Sequence, residues 1–171
     1  MNIILTGAPG VGKTRLVNEV VEELDVDIGG LVAKRDEDNG EIQEFTLKDL
    51  ETGDEDVLAS RDGDSGPVAK GFHINTETLN RMSKDAIEQA IRRGDLIVID
   101  MIGTIEMHSS LFRESVRDAF RGSEHVLAVV QQEYVDEYKD EGEVIELTHD
   151  NYDEVKEQVL EKLESRTGPT G

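Results

Sequence analysis

The octapeptide Gly7-Ala8-Pro9-Gly10-Val11-Gly12-Lys13-Thr14 has the residue types and spacing to hold a polyphosphate. It matches the pattern G-x-x-x-x-G-K-[ST] at every fixed position. Gly7, Gly10 and Gly12 let the backbone curl so that successive N–H groups converge on an anion. A helix starting at Lys13 adds the partial positive charge of its N-terminus. Lys13 reaches the β- and γ-phosphates of a nucleoside triphosphate, and the Thr14 hydroxyl is a ligand for Mg²⁺. Such a loop must follow a strand and open a helix. "NIILTG" before it and "KTRLVNEVVEEL" after it meet both conditions.

A metal-bound triphosphate also needs a carboxylate at the end of another buried strand. In "LIVIDMIGTIEMHSS" the run before Asp100 has no polar break, so Asp100 is the expected partner of Thr14 at Mg²⁺. Ile97, Val98, Ile99, Asp100, Met101, Ile102, Gly103 and Thr104 are together expected at the nucleotide, with Gly103 turning the chain past the phosphates. Glu106 either reaches back towards the γ-phosphate or caps the helix that follows. A hydrolase also needs positive charge where the transition state develops. The candidates are Lys34, Arg35, Lys70 and Arg61 or Arg81. Lys13, Glu106 and Arg35 form the expected catalytic set. The four histidines lack metal-ligand spacing, and without cysteine there is no disulfide or thiolate chemistry.

These residues need a scaffold. Residues 2–6, "LIVID", "HVLAVV" and "EVIEL" read as buried strands, and helical patterns separate them. Asn75 or Thr76 caps a helix ended by Gly94, and Ser109 or Ser110 caps another. "DNYDEVKEQVLEKLE" closes the chain. Continuous apolar strands alternating with helices imply an α/β fold, a mainly parallel sheet covered on both faces. Asn39-Gly40 predicts a β-hairpin insertion of about residues 28–48. The stretch 51–71, rich in Gly and Asp, reads as turn and mobile loop. One domain over 1–164 and a flexible tail over 165–171 are expected.

Thirty-nine acids face eighteen Lys and Arg, for a net charge of −21. That charge repels nucleic-acid backbones and anionic membranes, so neither is an expected partner. No apolar run approaches the roughly 18 residues of a membrane helix, and no signal segment is visible, so a cytoplasmic location is expected. A salt-rich host would screen the self-repulsion, because the Debye length falls to ~3 Å at 1 M.

In order, "GAPGVGKTRLV", "GGLVAKR", "LKDLETG", "HINTETL", "DLIVIDMIGTIEMHSSLF" and "ELTHDN" resemble an archaeal and bacterial nucleoside-triphosphatase family. That family, of the thermophilic NTPase type, also includes the human cancer-related nucleoside-triphosphatase. The resemblance covers about residues 1–160. It implies a RecA-like P-loop domain that slowly hydrolyses ATP, GTP and other nucleoside triphosphates with Mg²⁺. Gly7 to Thr14, Gly29, Gly30, Arg35, Asp100, Ile102, Gly103, Glu106, Ser109, Phe112 and Asn151 match the family's pattern. Met101 stands where the family has glutamate, Ile105 where it has methionine, and Tyr152 where it has arginine. "AVVQQ" replaces a strand end that usually reads Thr-Val-His. Met101 matters most, since a thioether cannot take a proton from water. Hydrolysis is therefore the leading expectation. A nucleotide-binding adapter or switch with little turnover comes second. A small-molecule kinase ranks last, because 53–71 is too acidic for a basic lid.

Overall fold

The computed structural model describes residues 1–64, 66–123 and 125–167, with side chains through Glu164. Its strands are β1 (Asn2–Gly7), β2 (Ile28–Asp38), β3 (Glu41–Asp49), β4 (Glu55–Ser60), β5 (Val68–Ala69), β6 (Phe72–Ile74), β7 (Leu96–Ile102), β8 (Val126–Val130) and β9 (Glu143–Leu147). The helices are α1 (Lys13–Glu23), α2 (Thr76–Met82), α3 (Glu88–Arg93), α4 (Ser110–Gly122), α5 (Val135–Tyr138) and α6 (Tyr152–Thr167). A π-helical turn, Ser83–Ile87, joins α2 to α3.

All nine described strands form one sheet, in the order β5-β6-β4-β3-β2-β7-β8-β1-β9. The half β2-β7-β8-β1-β9 is parallel. The remaining pairs are antiparallel and form a wing beyond β2. Alternation along the parallel strands builds two cores. Ile4, Ile97, Ile99, Ala128 and Val130 pack under α2, α3 and α4, with Leu79, Ile87, Phe112 and Val116. Ile3, Leu5, Val98, Leu127 and Val129 pack under α1 and α6, with Leu16, Val20, Val155 and Val159. Both faces are thus covered, as continuous apolar strands require.

The expected hairpin is β2–β3, and its turn is Asn39 (φ 54°) and Gly40 (φ 81°), the doubly left-handed pair that Asn-Gly favours. The stretch read as loop differs. It holds β4 and β5, and Leu58, Ala59, Ala69, Phe72 and Ile74 are buried on the wing. Two hydrogen-bonded caps are resolved: Asn75 accepts from the Thr78 N–H, and Ser109 from that of Phe112. Helix α6 runs to Thr167, three residues into the expected tail. Residues 168–171 of that tail lie outside the described residues.

β2 belongs to both halves. Ile28 to Val32 pair with β7, ending at Val32–Asp100, while Leu31 to Asp38 pair with β3. Arg35 lies beyond the last β7 pairing.

Candidate active site

The phosphate loop leaves β1 and enters α1 as expected. Gly12 is the residue before the helix, with φ 102° and the Tyr152 ring beside it. A side chain there would need left-handed backbone and would meet that ring at 3.3 Å. The Lys13 Nζ folds back and donates to the Gly7 carbonyl (2.7 Å) and the Ala8 carbonyl (3.1 Å). Burial lowers the Lys13 pKa, Asp100 opposes that shift, and Arg35 adds to it.

The loop opens on a cavity of about 710 Å³. Gly7, Pro9, Gly10, Gly12, Lys13 and Thr14 line one end, with Arg15. Arg35, Asp100, Met101, Thr104 and Glu106 line the middle. Ile97, Ile99 and Ile102 do not line it; their side chains fill the core under α4, and Val98 fills the opposite one. All four side chains are spent on packing: alternation separates Val98 from Ile97 and Ile99, and the register shift between Asp100 and Ile102 returns Ile102 to the face of Ile99. Ala8 and Val11 do not line it either, and the Val11 side chain packs in the α1 core. Gly103 sits behind the cavity wall, where a Cβ would lie 2.8 Å from the Gln131 side chain.

Two carboxyls are buried beside the loop. Asp100 is 4 % exposed, and its Oδ2 has no hydrogen-bond partner. Burial pushes its carboxyl up to about 6, against the pull of the Thr14 hydroxyl, Arg35 and Lys13. An orphaned buried oxygen beside a hydroxyl is a set of hard donors that fits Mg²⁺. Among the described residues no three His, Cys, Asp or Glu gather as a metal cage. Thr14 and Asp100 fit an ion whose other ligands are phosphate and water.

Glu106 is also 4 % exposed and opens a 3-10 turn, Glu106–His108. Burial pushes its carboxyl up to about 7; the N–H groups of Glu106 itself and Gly103 oppose this, as does Lys70, while Asp100 adds to it. The helix cap is Ser109, and Glu106 lines the cavity. Gln131, at the end of β8, fixes the turn leading to it. Its Oε1 accepts from the Thr104 N–H (2.9 Å) and hydroxyl (3.2 Å).

The cations sort by their partners. Arg81 pairs with Asp56. Arg61 lies over the Phe72 ring and donates to the Ile42 carbonyl. Lys34 lines the cavity but pairs with Glu55. Arg35 acts on both Lys13 and Asp100, and Lys70 on Glu106. Met101, half-buried, packs on the α1 core and offers the cavity no proton acceptor. Sequence reasoning missed Ile42, Phe45 and Phe72, which close the far end. Gln131 stood out only as a departure from the family's pattern.

A family model described as NTPase matches residues 2–160. Nucleoside-triphosphatase THEP1 of Methanocaldococcus jannaschii is 33% identical over 166 residues, covering 95% of this chain and 97% of that protein. The protein of the same name from Thermococcus kodakarensis is 35% identical over 158 residues, covering 88% and 87%. The crystal structure of THEP1 from the hyperthermophile Aquifex aeolicus matches with a TM-score of 0.83 at 29% identity, over 96% of this chain and 99% of that one. The solution structure of a human cancer-related nucleoside triphosphatase matches with a TM-score of 0.75 at 22% identity, over 96% and 97%, a likeness of fold. With a family model over residues 2–160 and relatives 33% and 35% identical along most of its length, this chain belongs to the nucleoside-triphosphatase (NTPase) family.

Proposed function

We propose that the chain hydrolyses nucleoside triphosphates to diphosphate and phosphate, slowly and with Mg²⁺. The observation that carries this reading is the shared cavity of Lys13, Asp100 and Glu106. A buried carboxyl with a pKa about 7 is matched to taking a proton from water near neutral pH. Mg²⁺, held by Thr14 and Asp100, would neutralise charge on the β- and γ-phosphate oxygens.

The chain's own residues do the rest. The loop N–H groups and the α1 N-terminus bind the phosphates. Lys13 leaves the Gly7 and Ala8 carbonyls for the β- and γ-phosphates. Glu106 orients the attacking water and accepts its proton. Arg35 and Lys70 balance charge developing on the transferred group. Gln131 holds Thr104, and with it the turn that aims Glu106. The excess of acids disfavours nucleic-acid and membrane partners. No described helix is long and apolar enough to cross a membrane, and a cytoplasmic setting is proposed on that composition.

The test is phosphate release from ATP, GTP, CTP and UTP with Mg²⁺, at low and high KCl. Release that depends on both triphosphate and Mg²⁺ supports the reading. Tight nucleotide binding with no release over hours would establish the switch reading instead.

A further inference from the structure

The cavity continues past the place a γ-phosphate would take. The sheet order fixes the direction. The loop rises from β1, Asp100 lies near the C-terminal end of β7 two strands away, and Arg35 lies on β2 beyond it. With Lys13 at the β- and γ-phosphates and Asp100 at the metal, the terminal phosphate faces β7 and β2. The wing comes next, and Ala33, Ile42, Phe45 and Phe72 form its wall of the cavity. Phe45 is the cross-strand neighbour of Arg35. Its ring meets Phe72 edge to face at 5.0 Å, and the Arg61 guanidinium backs Phe72 at 4.4 Å.

In-line displacement brings the nucleophile from the side opposite the leaving diphosphate. That side is this wall. The cavity of about 710 Å³ runs from the phosphate loop to this wall and is shared with the triphosphate; a water at the wing end has no use for two phenyl rings. An apolar, aromatic wall with Lys70 and Glu106 lining the same cavity suits a small organic ligand with one polar group. Lys70 stands beside it on the β5–β6 turn, with φ 52°. A lysine in left-handed backbone is strained, and here its side chain is brought to Glu106.

We propose that the wing half of the cavity binds a small organic molecule carrying a hydroxyl on a planar apolar body, and that the γ-phosphoryl group is transferred to that hydroxyl. The inference rests on the nucleotide reading of the loop, and it lifts a kinase above the last rank it holds on sequence alone, because the acidic stretch 53–71 holds strands β4 and β5 of the wing. In the step, the acceptor oxygen bonds to the γ-phosphorus. The bond from that phosphorus to the bridging oxygen breaks, and its electron pair leaves with the nucleoside diphosphate. The hydroxyl proton passes to Glu106 and then to solvent. Hydrolysis is what the same site does when water takes the acceptor's place.

The experiment incubates the full chain with Mg²⁺ and ATP, plus adenosine, uridine or 4-hydroxybenzyl alcohol. Glycerol serves as the hydroxyl without a planar body. Phosphorus NMR reads phosphomonoester and inorganic phosphate together. The expected result is a phosphomonoester from at least one planar acceptor and ADP in excess of phosphate. Phe45→Leu should raise that acceptor's KM ~10-fold and shift the product split towards phosphate. Phosphate with no phosphomonoester from any planar acceptor overturns the inference. So does equal transfer to glycerol, or an unchanged split in Phe45→Leu. If neither product forms, the nucleotide reading fails with it.

Discussion

The Lys13 ammonium donates to the carbonyl of Gly7, the first residue of its own loop, at 2.7 Å. The loop is therefore braced by the side chain proposed to bind phosphate. Lys13→Ala removes both the brace and the charge. Phosphate release should fall at least ~100-fold, the scale of losing one preorganised charge partner. A phosphate assay under saturating ATP checks it, and unchanged release would sink the proposed site.

Glu106 ties activity to pH. With Glu106 as the proposed base, its ionised form is the active one, so kcat should rise with pH through about 7 and then level. Glu106→Gln should lower kcat roughly 100-fold or more and erase that rise. Stability moves the other way. The folded-state pKa is raised above the ordinary 4.5, so the folded chain holds this proton more tightly than the unfolded one. Stability is lost as pH climbs from about 4.5 through about 7. Glu106→Gln should therefore raise Tm at pH 8 and change it little at pH 4. A Tm gain equal at both values would refute the burial argument.

Met101 faces the same cavity without a proton acceptor. Met101→Glu should raise kcat, by about tenfold, and return pH dependence to a Glu106→Gln background. A pH–rate profile of the double variant decides it.

Gln131 should act only through position. Gln131→Ala leaves the Thr104 N–H without its acceptor, at a cost of about 1–2 kcal/mol, and loosens the turn that carries Glu106. We expect kcat about tenfold lower with KM little changed. Gly103→Ala pushes the same side chain away, so the two substitutions together should cost less than their sum. Strict additivity would show that Gln131 does not act through this turn.

The charge of −21 predicts that Tm rises with KCl up to 1 M, as repulsion among surface acids is screened. A flat series would argue against a salt-rich host.

Much of this arrangement is legible in the chain because it rests on local signals. Gly7 to Thr14 is a spacing rule, and Asp100 is found by the apolar run before it. The Asn39-Gly40 turn announces its own geometry. The wing beyond it is not legible. β5 and β6 have two and three residues, too few to show alternation, and their buried side chains are scattered among Gly and Asp. The aromatic wall joins Phe45 and Phe72 from different strands, so no window of sequence contains it. Ile97, Val98 and Ile99 show the converse limit. Proximity to Asp100 in sequence marked them for the nucleotide, while strand alternation sent them to the two cores.

β2 is tied on both edges only as far as Val32, where its pairing with β7 ends at Asp100. From Ala33 onward it is bonded along one edge, to β3. The strand is thus a cantilever, clamped in the parallel half and compliant at its outer end. Arg35 rides on that outer end, three residues past the clamp. A strand secured on one side opens more readily than one secured on both. The cation proposed to answer the transferring phosphate is therefore sprung, while Asp100 beside the clamp is fixed.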